Sequence, residues 1–229
     1  MSIKLFDHQI EAITQMKKGC ILCGGVGSGK SLTAISYYYL QNSGKLSSLT
    51  GGNYSFMCKF PKDLYIITTA RKRDTLEWEG ELTPFLLSNK VIVDSWNNIK
   101  KYSDVTDAFF IFDEQRVVGS GTWVKSFLKI AKNNNWILLS ATPGDTWQEY
   151  IPVFIANGFY KNRTEFIREH IIYSRFTKYP QIDRYLNTGR LVRLRNNILV
   201  NMGFERNTVS HHEDIYVNYS VEKYKDITR

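Results

Sequence analysis

Short apolar runs alternate with helix-periodic stretches along most of this chain. Phe6, Ile10, Ile13 and Met16 fall near one face of a helix over 5–16. Residues 19–24 then read as a strand and 30–40 as a helix. Leu64 to Thr69 is a buried strand, and 74–87 a polar helix carrying Leu76, Trp78, Leu82 and Leu86. Val91 to Val93, Ala108 to Phe112 and Trp136 to Leu139 are further short strands, with a helix over 123–132 between the last two. Continuous apolar strands separated by helices predict a mostly parallel sheet with helices on both faces, an α/β lobe. Polar and charged residues cluster at the carboxyl ends of these strands, the edge where ligands bind in open α/β sheets.

Two regions break the rhythm. Residues 42–62 hold three glycines, a proline and several Ser and Asn residues, so a loop insertion or small hairpin is expected, with one short strand near Tyr54, Phe56 and Phe60. Beyond Pro143 the pattern loosens. Helices are expected over 147–157 and 164–172, irregular chain over 175–191, and either helix or strand over 191–200. A strand near Ile215 to Tyr219 and a helix from Val221 follow.

The stretch Gly24-Gly25-Val26-Gly27-Ser28-Gly29-Lys30-Ser31 fits G-x-x-x-x-G-K-[ST], the phosphate-binding P-loop, and lies between a strand and a helix as that motif requires. Glycines let backbone N–H groups turn inward around a polyphosphate, and the helix that follows adds the positive end of its dipole. Gly25, Val26, Gly27, Ser28 and Gly29 would form the cradle, Lys30 would reach the terminal phosphates and Ser31 would ligate magnesium. Roughly eighty residues on, four apolar residues lead into Asp113-Glu114. In this Walker B pattern Asp113 would hold magnesium and Glu114 would orient or deprotonate the attacking water. The alternative reading of Asp113, as a cap for the next helix, is weakened by the P-loop upstream.

Composition narrows the picture only a little. At 229 residues and 43% hydrophobic, the chain can build a sizeable core. Its net charge of +8 permits a polyanionic partner without requiring one. Cys20, Cys23 and Cys58 are an odd, low count that suggests a reducing compartment. Cys20 and Cys23 spell C-x-x-C, but inside the strand before the P-loop, with no second pair for zinc. No apolar stretch of about 18 residues or signal-peptide core is present, so neither a membrane partner nor secretion is expected.

Several segments together resemble superfamily 2 helicases and translocases, closest to Swi/Snf-type and phage helicases. Asp113-Glu114 followed by Ser140-Ala141-Thr142-Pro143 resembles motifs II and III, at a fitting interval. Gln9, in Phe6-Asp7-His8-Gln9, resembles the glutamine that recognises adenine in that family. Thr68-Thr69-Ala70-Arg71 with the helix from Leu76 resembles motif Ia, and Val91 to Trp96 resembles the Ib region. The resemblance implies a RecA-like P-loop NTPase lobe over 1–158, binding ATP and magnesium between Ser31 and Asp113. It implies coupling through Ser140 and Thr142, and nucleic-acid contact through Thr69, Arg71 and Ser95. Gln115-Arg116 departs from the usual Ala-His or Ala-Asp, and Arg116 occupies the position that communicates with motif III. The family also uses a second RecA-like lobe carrying arginine fingers, and no stretch after Pro143 resembles its motifs.

Residues 159–229 therefore read as a basic, aromatic-rich extension and interlobe linker, with the start of a second lobe. From Lys161 to Arg206 there are ten basic and four acidic residues, so most of the net charge lies there. Interleaved aromatics suit contact with nucleic acid, and equally suit packing on the lobe while the charges stay solvated. Arg190, Arg193 and Arg195 are the candidate contacts. The resemblance implies an ATP-dependent helicase or translocase lobe, weakly active without its second lobe, with DNA as its partner, duplex favoured and single-stranded DNA the alternative. A cytoplasmic or nucleoid-associated location follows, in a host cell if the protein is viral. The alternatives are a stand-alone ATP- and nucleic-acid-binding regulatory module without catalysis, and an unrelated P-loop enzyme such as a kinase or GTPase-like switch. Gln9 and the Ser-Ala-Thr-Pro segment argue against the last.

Overall fold

The apolar runs pair into one sheet whose middle runs, 64–68, 109–113 and 135–140, are covered on both faces. The computed structural model describes residues 3–46, 58, 60–114, 117–177 and 179–204. Its main sheet has β1 (Ile21–Cys23), β2 (Leu64–Thr68), β3 (Val91–Ser95), β4 (Phe109–Asp113), β5 (Asn135–Ser140) and, late in the chain, β8 (Leu199–Asn201). The spatial order is β3-β2-β4-β5-β1-β8, and every pairing is parallel. Parallel strands need crossovers, which the helices between them supply.

Strand alternation divides the core into two layers. Leu22, Ile66, Ile111 and Leu139 face α1 (Asp7–Gln15) and α2 (Lys30–Gln41), meeting Ile13, Ile35 and Tyr38. Ile67, Phe110, Phe112 and Trp136 face the opposite layer. There they meet Phe127 and Ile130 of α5 (Thr122–Asn133) and Phe154 of α6 (Ile151–Ala156). Because all strands are parallel, the P-loop, Thr69, Ser95, Glu114 and Ala141 all follow strand ends on one edge of the sheet.

Four expectations change in the structure. The helix expected over 74–87 is only α4 (Glu77–Leu82), and a separate short helix, α3 (Ala70–Asp74), precedes it. Leu76 between them adopts φ 55°, a left-handed conformation that ends one helix and redirects the next. The 147–157 helix begins as a 3-10 turn, Trp147–Tyr150, before α6. The stretch 175–191, expected to be irregular, contains β7 (Ile182–Tyr185), which pairs antiparallel with β6 (Ile171–Tyr173) after α7 (Arg163–His170). Residues 191–200 are helix and strand in turn: α8 (Thr188–Ile198) runs into β8.

β8 lies beside β1, with Val200 opposite Leu22, so the segment after 158 returns to the main sheet. Phe166, Leu191 and Ile198 share the layer built on Phe127. The strand expected near Tyr54 and Phe56, and the elements expected from Ile215 onward, lie outside the described residues. Among the described residues no helix is long and apolar enough to cross a membrane.

Candidate active site

Gly29 ends the P-loop at φ 76°, a conformation open to glycine and costly for other residues. A Cβ there would also sit 2.3 Å from Gln9 Nε2. The close approach exists because α1 braces the loop from behind. Gln9 Nε2 donates to the Gly29 carbonyl (3.3 Å), while its Oε1 accepts from the Phe6 N–H (2.9 Å) and holds the helix start. His8 Nε2 donates to the Ser28 carbonyl (3.2 Å). Gln9 is buried, so the proposed adenine reader is at the same time a strut for the phosphate loop. Its amide retains a second hydrogen and a second lone pair for a base edge. Phe6 is 68% exposed and stacks on His8 with centroids 5.8 Å apart.

Lys30 opens α2. Its ammonium donates to the carbonyls of Gly24 (2.7 Å) and Gly25 (2.9 Å). Burial lowers its pKa, and the nearby Asp113 carboxylate opposes that shift. Lys30, Ser31, Asp113 and Glu114 line one cleft of about 580 Å³, with Gly27, Gly29, Thr69, Arg71 and Ala141 also in its walls. Residues some eighty positions apart in sequence thus meet around one volume.

Asp113 ends β4 with its side chain only 2% exposed. Its Oδ2 accepts from Thr68 Oγ1 (2.8 Å), Lys72 Nζ (3.1 Å) and Trp78 Nε1 (3.2 Å). Its backbone carbonyl accepts from Trp96 Nε1 at 2.9 Å. Two indoles therefore orient one aspartate, and the other carboxylate oxygen is left for the cleft. Burial raises the Asp113 pKa, while Lys72 and Thr68 pull it back. Glu114 follows at φ 58°, a strained backbone for a residue with a Cβ. The Lys72 ammonium reaches it at 2.7 Å. Burial lowers the Lys72 pKa, but Glu114 and Asp113 outweigh it and hold the ammonium above its ordinary value.

Lys72 was not singled out by the sequence, where it is one of three consecutive basic residues, Arg71-Lys72-Arg73. Only folding chooses among them. Lys72→Met should lower stability by about 1–3 kcal/mol, because a buried carboxylate loses its cation. Urea denaturation of the two proteins measures this; coincident curves would mean that the ion pair contributes nothing.

The other candidates lie as follows. Thr69 caps α3, its Oγ1 accepting from the Lys72 N–H at 3.3 Å. Ser95 is buried, and its hydroxyl accepts from Arg73 Nη1 at 3.2 Å. Asp94 beside it collects Tyr102 (2.6 Å), Asn98 (2.8 Å) and Arg73 (3.3 Å). Burial raises the Asp94 pKa, but Asn98, Tyr102, the Ser95 N–H and Arg73 outweigh it and bring it to about 2. Ser140 is buried, and its Oγ accepts from the Thr142 N–H at 3.1 Å, shaping the turn after β5. Arg116 lies outside the described residues.

In α8, Arg190 pairs with Glu169 (2.7 Å) and lies over the Tyr160 ring (5.3 Å). Arg195 lies over Trp147 (5.4 Å), and Arg193 is exposed. Cys20 is buried, with its thiol pushed up to about 11 by that burial, and Cys23 is half-buried.

A six-stranded parallel sheet with a P-loop after β1 and an acidic pair after β4 is the RecA-like α/β fold. Among solved structures, the chain is similar to the Sulfolobus solfataricus SWI2/SNF2 ATPase core in complex with dsDNA. The TM-score is 0.64 at 14% identity, over 88% of this chain and 45% of that one. It is also similar to the Pyrococcus furiosus Hef helicase domain, with a TM-score of 0.48 at 17% identity over 73% of this chain and 40% of that one. The chain thus spans less than half the length of each. No family model and no curated protein matches it.

Proposed function

We propose that this chain is the ATP-binding lobe of an ATP-dependent DNA helicase or translocase of superfamily 2, working with a second RecA-like lobe. The convergence of Lys30, Ser31, Asp113 and Glu114 on one cleft at the carboxyl edge of the sheet carries this reading. Gln9 and Phe6 beside the P-loop suit adenine, by hydrogen bonding and stacking respectively.

Magnesium fits the oxygens available. Ser31 offers a hydroxyl and Asp113 a carboxylate in the same cleft, the hard ligands this ion takes alongside phosphate oxygens and water. When bound it would neutralise charge on the transferring phosphoryl group. The protein's own part is positional. P-loop N–H groups and Lys30 hold the phosphates. Glu114, with 46% of its side chain exposed, faces the cleft and can accept a proton from the attacking water as the bond to the terminal phosphorus forms. The bond to the bridging oxygen breaks, and ADP and phosphate leave.

The cleft is open on the outer side of the P-loop, where Val26 is exposed and a Cβ on Gly25 would meet no other group. A second lobe would close that side and supply the cation that stabilises the transition state. Hydrolysis rates with no nucleic acid, single-stranded DNA, duplex DNA and RNA test the reading. We expect ATP binding with slow turnover by the 229-residue chain, and DNA-stimulated turnover once a second lobe is joined to it. Fast turnover by this chain alone would remove the need for a second lobe, and a preference for GTP would overturn the adenine assignment.

A further inference from the structure

Ile171, Tyr173, Ile182 and Tyr185 of the β6–β7 hairpin pack on the lobe, whereas the aromatic side chains of its tip point outward. Its base is pinned to the lobe. His170 is fully buried, its Nδ1 donating to the Leu186 carbonyl (2.9 Å) and its Nε2 accepting from the Tyr160 hydroxyl (2.7 Å). The Leu186 N–H returns a bond to the His170 carbonyl at 2.8 Å. Higher up, the Ser174 N–H donates to the Gln181 carbonyl at 2.8 Å, closing the ladder.

Beyond that rung, Phe176 is 99% exposed and Tyr179 73% exposed. The tip is internally organised: the Phe176 N–H donates to Ser174 Oγ (3.3 Å), and Thr177 Oγ1 donates to the Tyr179 carbonyl (2.8 Å). A phenyl ring placed wholly in water contributes nothing to the fold. The segment 174–181, Ser-Arg-Phe-Thr-Lys-Tyr-Pro-Gln, holds two basic residues and no acidic one. Flat aromatic faces beside the positive charge of Arg175 complement bases on a phosphate chain.

The hairpin is also tied to the nucleotide side. Tyr185 lies beside Thr146 and Gln148, in the turn that follows Ser140 to Pro143. Ala141, in the segment that joins β5 to that turn, lines the phosphate cleft.

We propose that the tip of this hairpin is a base-stacking contact for single-stranded DNA, with Phe176 and Tyr179 on base faces and Arg175 on a neighbouring phosphate. The inference rests on the nucleic-acid reading above and names the part of the strand engaged. It also shifts weight from the duplex, which the resemblance favoured, to bases freed from pairing.

Fluorescence anisotropy on the full chain tests it, using a labelled oligothymidine, an abasic strand of equal length and a blunt duplex. The wild type should prefer oligothymidine to the abasic strand by about 10–100-fold, the range expected when aromatic faces hold bases. The double variant Phe176→Ala, Tyr179→Ala should lose that preference and keep its dependence on salt, and Phe176→Trp, Tyr179→Trp should restore it. Arg175→Ala should instead weaken all three ligands and reduce the salt slope by about one. All these side chains are exposed, so the variants should melt like the wild type.

Equal affinity of the wild type and the double alanine variant for oligothymidine would overturn the proposal while leaving the nucleic-acid reading in place. So would a preference over the abasic strand that survives in that variant, or tighter binding of the blunt duplex than of oligothymidine. A wild type that binds none of the three would overturn both, and ATP binding measured on the same sample would then show whether the nucleotide site stands by itself.

Discussion

Lys30→Ala is expected to lower ATP turnover by about 10²–10³-fold or more while the fold survives. The Lys30 ammonium is the positive charge nearest the P-loop carbonyls, 2.7 Å from Gly24 and 2.9 Å from Gly25. Phosphate oxygens are stronger acceptors than those carbonyls, and a polyphosphate would draw the ammonium to itself. Without it, Asp113 and Glu114 present negative charge to a negative ligand in the same cleft. ATP affinity should therefore fall together with turnover. Alanine suits the first turn of a helix, and Lys30 is only half-buried, so stability should change by less than about 1 kcal/mol. Titration with a fluorescent ATP analogue and a thermal melt on the same sample separate the two effects. Hydrolysis at the wild-type rate would show that this cleft is not where ATP is cleaved.

Phe112→Ala should cost about 3–5 kcal/mol, the largest stability loss expected from any single truncation near the site. Phe112 is fully buried on the central strand β4. Its ring lies 5.0 Å from Phe127, 5.5 Å from Trp96 and 5.7 Å from Phe110, centroid to centroid. Close-packed aromatics on both sides leave little room to collapse into the hole, so the cavity term adds to the lost burial. A domain of this kind holds roughly 5–15 kcal/mol in all, so a third or more of it would be lost. The site should feel the same change. Trp96, which donates to the Asp113 carbonyl, packs on the Phe112 ring, and Asp113 is the next residue in the chain. Urea denaturation should show an earlier midpoint, and ATP affinity should fall even under conditions where the variant is folded. A loss below about 1 kcal/mol would mean that the aromatic layer is not the core it looks to be.

Much of this arrangement could be read from the chain because it is local. The strands announce themselves as apolar runs, since a strand covered on both faces has no polar side to show. Gly24 to Ser31 and Asp113-Glu114 are legible because phosphate and metal chemistry restrict the residue types that can do the work. The helix over 122–133 and the strand that follows it were likewise visible in their periodicity. The break at Leu76 was not, because its left-handed backbone sits in a residue that shows no preference for it. Nor was β7, whose half-exposed residues lack an apolar run and are held by pairing with β6.

The sequence by itself determined the alternation of strands and helices, the phosphate loop and the acidic pair, because short-range sterics and functional-group chemistry set them. Only the tertiary structure decided the rest. It brought β8 back beside β1 and made Gln9 a strut under Gly29. It chose Lys72 from three adjacent cations as the partner of Asp113 and Glu114. It left Phe176 in water while burying Phe166. Each of these depends on distances between segments remote in the chain, and those distances exist only once the sheet has closed its two cores.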